Sequence, residues 1–406
     1  MFCLFRGAAV LAALVALSAF PTIEAAWADE STPVAAGVSY EPIGHWDAAK
    51  LNEILTTEAP KVFGVSVTYS PAVNGVQLYR VTYPSVVPER GNKPIVATGL
   101  LAIPDTGGKD FPLVSYQHGT VYGKEDVPSY PENSSETELM LAQFAGQGYA
   151  LIGADYFGMG ASKEPEGYGV KGSHQQATFD MLLAARAVMG SMGLSTSKLF
   201  LGGWSQGGYV TMAFLEKLEK SGVAVSAAST ASGPADLYSF LSGFLDFPRE
   251  NDASWISILY VLSSFSFEHY YGMPGLARSF VNEDYYETAR KIYERESSDI
   301  SALPTDLKKL IRPEYFDPTF FAESAYGRIA AASDAFRWII KTPVRSYYGE
   351  SDEVVSVGLA KLAMNYQEGI GGGNTAVEAI STGKTDHRGT FATAVAQWKI
   401  WFDSLK

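Results

Sequence analysis

The chain has 406 residues, 47% hydrophobic and 18% charged, with a formal net charge of −13. That balance excludes a disordered chain, and the length allows one large domain with an insertion, or two domains. Acidic residues outnumber basic ones, 44 to 31, and no Lys/Arg run occurs. A nucleic-acid partner is therefore not expected, since phosphate neutralisation drives that association.

The first 28 residues stand apart. Arg6 precedes an apolar run from Gly7 to Phe20, and Ala26-Trp27-Ala28 offers a small-x-small cleavage site. The run is short beside the ~20 residues of a membrane span. The expectation is a secretory signal peptide over 1–28, cleaved near Ala28, with a secreted or periplasmic product and no stable membrane span. Cys3 is the only cysteine and leaves with this segment, so disulfide and thiolate chemistry are not expected.

Residues 29–236 read as the first part of a core. Over 60–104 apolar and polar residues alternate between turn residues (VFGVSVTYS, VQLYRVTYP, PIVATGLLAIP), which predicts antiparallel strands. From about 111 the pattern becomes strand–helix. PLVSYQ, YALIGADY, KLFLGGWS, VAVSAAST, VRSYYGE and AVEAIST are the strand candidates. Helical stretches are predicted near 137–147, 174–192, 206–219, 357–368 and 390–404. Such alternation means an α/β fold, a mostly parallel sheet covered by helices on both faces. Residues 237–338 hold 21 aromatics in 102 residues, against 13% for the chain. A connection that long needs structure of its own, so it is expected to be a helical cap, with an amphipathic helix opening at Asn282. Residues 339–406 complete the core.

Gly203-Trp204-Ser205-Gln206-Gly207 matches G-x-S-x-G. LFLGGW before it reads as a strand and QGGYVTMAFLEKL after it as a helix. Ser205 is thus placed at a sharp strand-to-helix turn, a nucleophile elbow, where side chains on the flanking glycines would clash. The base should follow the serine and the acid in chain order. Of five histidines only His269 and His387 follow Ser205. His269 lies inside the aromatic stretch and reads as a packed or surface residue. His387 follows the last strand candidate and is the expected base. Asp352, after strand VRSYY, is the expected acid; Glu350 and Glu353 read as solvated loop charges, and Asp386 as pointing away from its neighbour. The oxyanion donors are expected to be the backbone N–H groups of Gln206 and Thr120, with His118 shaping that loop. His118, Tyr122 and Tyr156 are candidates for the substrate pocket.

The segments Gln117-His118-Gly119-Thr120, Ala154 to Ser162, Gly203 to Gly208, Gly349-Glu350-Ser351-Asp352 and Asp386-His387 occur in this order from about 112 to the C-terminus. In this the chain resembles the α/β-hydrolase superfamily, and within it the secreted lipase and esterase branch. The resemblance implies an α/β-hydrolase fold with its cap inserted before the acid-bearing strand. Asp155 and Tyr156 would be structural or pocket residues, and Trp204 would pack beneath the nucleophile. The implied reaction is hydrolysis of a small-molecule or lipid-like carboxylic ester through an acyl-enzyme, with no cofactor and no metal. A serine aminopeptidase, an acyltransferase or a non-catalytic ligand-binding relative are the competing readings. The sequence leaves oligomeric state open.

Overall fold

A computed structural model describes residues 31–371 and 376–406; the expected signal peptide, with Cys3, lies outside the described residues. Ten strands form one sheet in the order β1-β2-β3-β4-β6-β5-β7-β8-β9-β10. They are β1 (Thr32–Ala35), β2 (Val38–Trp46), β3 (Val76–Val87), β4 (Lys93–Pro104), β5 (Asp110–Gln117), β6 (Ala150–Ala154), β7 (Ser195–Trp204), β8 (Ala227–Ala231), β9 (Val344–Tyr348) and β10 (Val377–Ser381). The first four pair antiparallel, and β4 pairs antiparallel with β6. From β6 to the far edge all pairs are parallel.

Parallel strands must be reached by crossovers, and helices supply them. They are α1 (Ser135–Gln143), α2 (Lys171–Ser191), α3 (Gln206–Lys220), α4 (Leu237–Asp246), α5 (Ser257–Tyr270), α6 (Glu283–Tyr293), α7 (Ala325–Ala332), α8 (Leu362–Ile370) and α9 (His387–Asp403), with several shorter turns. One core joins the sheet to α2, α3 and the 237–338 stretch. A second packs the other face against α1 and α9.

The expected strand over VFGVSVTYS does not form. Pro60 sits in the first turn of a short helix, Ala59–Phe63, which Gly64 ends in the left-handed region (φ 70°). Proline suits that first turn because its missing N–H is unpaired there anyway, and this local pair of signals overrides the alternation. The strands β1 and β2 precede the expected antiparallel set.

Between β8 and β9 lie α4 to α7. The expected amphipathic helix is α6, capped by Asn282, with Ala289, Ile292 and Tyr293 buried. Most aromatics of this stretch pack on one another. Phe280 stacks on Tyr326 at 4.2 Å and on Tyr260 at 5.9 Å. Among the described residues no helix is long and apolar enough to cross a membrane.

Candidate active site

Parallel register brings the loops after several strands to one edge of the sheet, where ligands of such sheets bind. Gln117 at the end of β5 is level with Gly203 in β7, and Trp204 with Ala231 in β8. The segment after β5, Gly119-Thr120, therefore lies beside the β7–α3 turn.

Ser205 sits in that turn with φ 55° and ψ −121°, a conformation that side chains disfavour. Its N–H donates to Ala231 O at 2.9 Å, and its carbonyl accepts from Gly208 N at 2.9 Å. The flanking glycines leave no room for a methyl group. A Cβ on Gly203 would lie 2.2 Å from Gly207 O, and one on Gly207 would lie 1.9 Å from Gln117 O. Tight packing on both sides holds the strained turn in place.

His387 opens α9, directly after its N-cap Asp386, whose Oδ1 accepts from Gly389 N at 2.7 Å. The cap role turns the Asp386 carboxylate to the helix backbone. His387 Nδ1 lies 3.1 and 3.2 Å from the two Asp352 oxygens, and both residues are 3% exposed. Asp352 Oδ1 also accepts from Val354 N at 2.8 Å and Val355 N at 2.9 Å. Burial raises the carboxyl, but the His387 charge and hydrogen bond, with the Val355 N–H, outweigh it and hold Asp352 below the ordinary aspartate range. An imidazole that donates Nδ1–H to a carboxylate keeps its lone pair on Nε2. Ser205 and His387 line one cleft, together with Trp204 and Thr120.

The Gly119–Thr120 peptide is held from several sides. Gly119 N donates to both Glu136 oxygens at 3.1 Å, and Gly119 O accepts from His118 Nδ1 at 2.8 Å. A trans peptide points its C=O and N–H in opposite directions, so the Thr120 N–H faces away from His118. Thr120 borders the same cleft as Ser205. No side chain caps the first turn of α3, which leaves the Gln206 N–H at a helix N-terminus beside Ser205.

Structure neighbours share this arrangement of sheet and helices. A hydrolase candidate from Legionella pneumophila matches with a TM-score of 0.78 at 21% identity, over 90% of this chain and 97% of that one. The rice cell wall degrading esterase LipA from Xanthomonas oryzae matches with a TM-score of 0.75 at 20% identity, over 90% and 98%. Candida antarctica lipase A in its closed state matches with a TM-score of 0.61 at 15% identity, over 85% and 77%. The chain has the α/β-hydrolase fold. No family model and no curated protein matches its sequence.

Within this α/β-hydrolase frame the expected pocket residues separate. Tyr122 borders the cleft, but His118 and Tyr156 line neither of the two cavities that meet Ser205. They are buried below it, the two rings stacked at 4.0 Å, and Tyr156 Oη donates to His118 O at 3.1 Å. Burial pushes the His118 imidazole down to about 4, so it is neutral near pH 7. His174 packs edge-on against Tyr156, and burial pushes it down to about 3. Asp155 accepts from Ser129 and Thr98 and is wholly buried, which makes it structural. His269 stacks on Tyr293 in the 237–338 stretch.

Three contacts were not foreseen. Glu353 is no free loop charge: its Oε2 accepts from His387 N at 2.9 Å. Glu350 does sit at the surface, accepting from Ser381 Oγ. Glu136, in the first turn of α1, is buried against Gly119, and burial pushes its carboxyl up to about 8. Trp204 donates from Nε1 to His387 O at 3.2 Å. Among the described residues no group of three or more His, Cys, Asp or Glu is placed to hold a metal ion.

Proposed function

We propose that this protein is a serine hydrolase of carboxylic esters, with Ser205 as nucleophile, His387 as base and Asp352 as its orienting acid. The observation that carries the reading is the buried His387–Asp352 pair, 3.1 Å apart, whose imidazole borders the same cleft as a serine held at φ 55°. Two of the structure neighbours are named as an esterase and a lipase.

Ser205 Oγ attacks the ester carbonyl while His387 Nε2 takes its proton. The Thr120 and Gln206 N–H groups receive the oxyanion, each contributing about 3 kcal/mol to the transition state. The C–O bond to the alcohol breaks, and His387 returns the proton to that oxygen. Water then attacks the acyl-enzyme, giving its proton to His387, and Ser205 is regenerated with release of the acid. No cofactor enters these steps. The stretch 237–338 acts as a cap over Ser205, and residues 1–28 direct export and are removed near Ala28.

The aminopeptidase alternative needs carboxylates free to hold a substrate amine. Asp126, Glu136 and Glu353 border the cleft, but each already accepts a backbone N–H, from Gly123, Gly119 and His387. That favours the ester reading. A fluorophosphonate should label Ser205, and nitrophenyl acyl esters should turn over while aminoacyl nitroanilides do not. An unlabelled Ser205 in folded protein would sink the proposal.

A further inference from the structure

Ser205 borders two unlike cavities. One is a pouch of about 20 Å³ beneath α4 and α5, walled by Tyr209, Leu237, Phe240, Leu241, Leu259 and Phe267. The other is the cleft, about 450 Å³, with Tyr122, Asp126, Asn133, Trp255, Glu353 and Arg388 on its walls. The difference decides which half of an ester each can take.

Resting on the reading above, we propose that the pouch is the acyl site and admits only a short acyl group, acetyl or propionyl, whereas the cleft takes a large polar alcohol.

Stereochemistry assigns the two sides. The carbon bonded to Ser205 Oγ carries the oxyanion, the acyl chain and the leaving oxygen. The leaving oxygen must be within reach of the proton on His387. His387 borders the cleft and is absent from the pouch wall. The alcohol therefore lies in the cleft. Gln206 borders the pouch and Thr120 the cleft, so the two oxyanion donors stand at the junction. The acyl chain has only the pouch left.

Size then sets the chain length. On the same measure the pouch offers about 20 Å³ against the 450 Å³ of the cleft, so it has room for a short chain beyond the carbonyl and little more. Its walls do not yield easily. Leu237, Phe240, Leu241 and Leu259 are all 7% exposed or less and belong to the main core. Tyr209 is tied by its Oη to Ser333 O at 2.9 Å. Forcing extra methylenes into a packed core pushes side chains off their rotamers. Each methylene beyond propionyl should cost about tenfold in kcat/KM, the usual discrimination of a fitted apolar pocket. The cleft is wide and of mixed character: carboxylates, an amide and the exposed Arg388 stand among Val62, Phe63, Val121, Trp255 and Ile300.

The test is an acyl series on one alcohol, nitrophenyl acetate, propionate, butyrate and octanoate, run on the full protein after fluorophosphonate titration of Ser205. The acetate or propionate should exceed the butyrate in kcat/KM by about tenfold, and the octanoate by several powers of ten. Leu241→Ala and Leu259→Ala should move the optimum toward butyrate and octanoate by about tenfold. Thermal melting verifies that each variant is folded. Glycerol monoacetate should be a better substrate than hexyl acetate. A titratable Ser205 with a preference for octanoate overturns the inference and leaves the ester-hydrolase reading standing. So does an acyl preference that neither folded variant changes. A preference for hexyl acetate overturns the assignment of the cleft. A Ser205 that does not react with the fluorophosphonate overturns the reading beneath the inference instead.

Discussion

The indole of Trp204 donates its Nε1–H to the carbonyl oxygen of His387 at 3.2 Å, and the two rings lie 5.1 Å apart. The residue before the proposed nucleophile thus holds the backbone of the proposed base. Phe391, one turn further along α9, stacks on Trp204 at 5.0 Å, so the indole packs against two residues of α9. Trp204→Phe keeps the stack and removes the hydrogen bond. A lost hydrogen bond of about 1 kcal/mol corresponds to roughly a fivefold fall in kcat, with KM little changed. Steady-state kinetics on an ester substrate checks it, and an unchanged kcat would refute the coupling.

Glu353 and Trp204 hold His387 at opposite ends of its own peptide backbone, through N and O. Glu353→Gln retains a carbonyl oxygen for the His387 N–H and should keep most activity. Glu353→Ala leaves that N–H unpaired and should lower kcat by about tenfold. Equal losses in the two variants would mean that the charge, not the hydrogen bond, matters.

Direct removal of the proposed triad gives the largest effects. Ser205→Ala and His387→Ala should each lower kcat by about 10⁴-fold or more. Asp352→Asn should cost a comparable or somewhat smaller factor, because the amide no longer favours the tautomer with the proton on Nδ1. Glu350→Gln and Asp386→Asn should leave kcat within about twofold, as a surface charge and a helix cap respectively. A dominant loss in either would move the acid assignment away from Asp352.

Glu136 is a positioning residue for the proposed oxyanion loop, acting through Gly119. Glu136→Gln should retain activity, because an amide oxygen still accepts the Gly119 N–H. Glu136→Leu should lower kcat about tenfold or more with little change in KM, since only the transition state uses the Thr120 N–H. Burial raises the Glu136 carboxyl from 4.5 to about 8 in the folded protein. The folded state then binds more protons than the unfolded chain between these values, so stability falls as pH rises through that window. Glu136→Gln should remove this slope. Melting temperatures of both proteins between about pH 5 and pH 8 measure it. Parallel curves would show that Glu136 titrates normally.

Much of this site is legible in the chain itself, and the limits have physical causes. β5 to β8 carry short runs buried on both faces, and their spacing with helices has few competing explanations. The elbow is legible because backbone approaches as close as those of Gly203 and Gly207 admit one residue type. β1 and β2 are not, since β2 carries Pro42 and Gly44 and its register shifts between them. Glu136 and Glu353 escape because their value lies in partners 17 and 34 residues away. No local pattern marks a carboxylate that will be buried against a distant N–H. His118 and Tyr156 flank the right loops, but sequence does not distinguish a ring that borders a cavity from one stacked below it.

The backbone of Ser205 offers a test that needs no substrate. At φ 55° and ψ −121° a Cβ is strained, and glycine is the residue least troubled by such angles. The native serine tolerates this because the turn is fixed by Ser205 N to Ala231 O, by Gly208 N to Ser205 O and by the close contact of Gly207 with Gln117. Ser205→Ala keeps the Cβ and the strain, whereas Ser205→Gly removes both. Both variants should be inactive, so stability can be compared apart from function. Ser205→Gly should be the more stable by about 1 kcal/mol, because relief of strain exceeds the added entropy of the unfolded glycine. Denaturant titration of the two proteins side by side gives the difference directly. A glycine variant less stable than the alanine variant would mean that the turn stores no strain, and that its geometry is simply the lowest state of this chain.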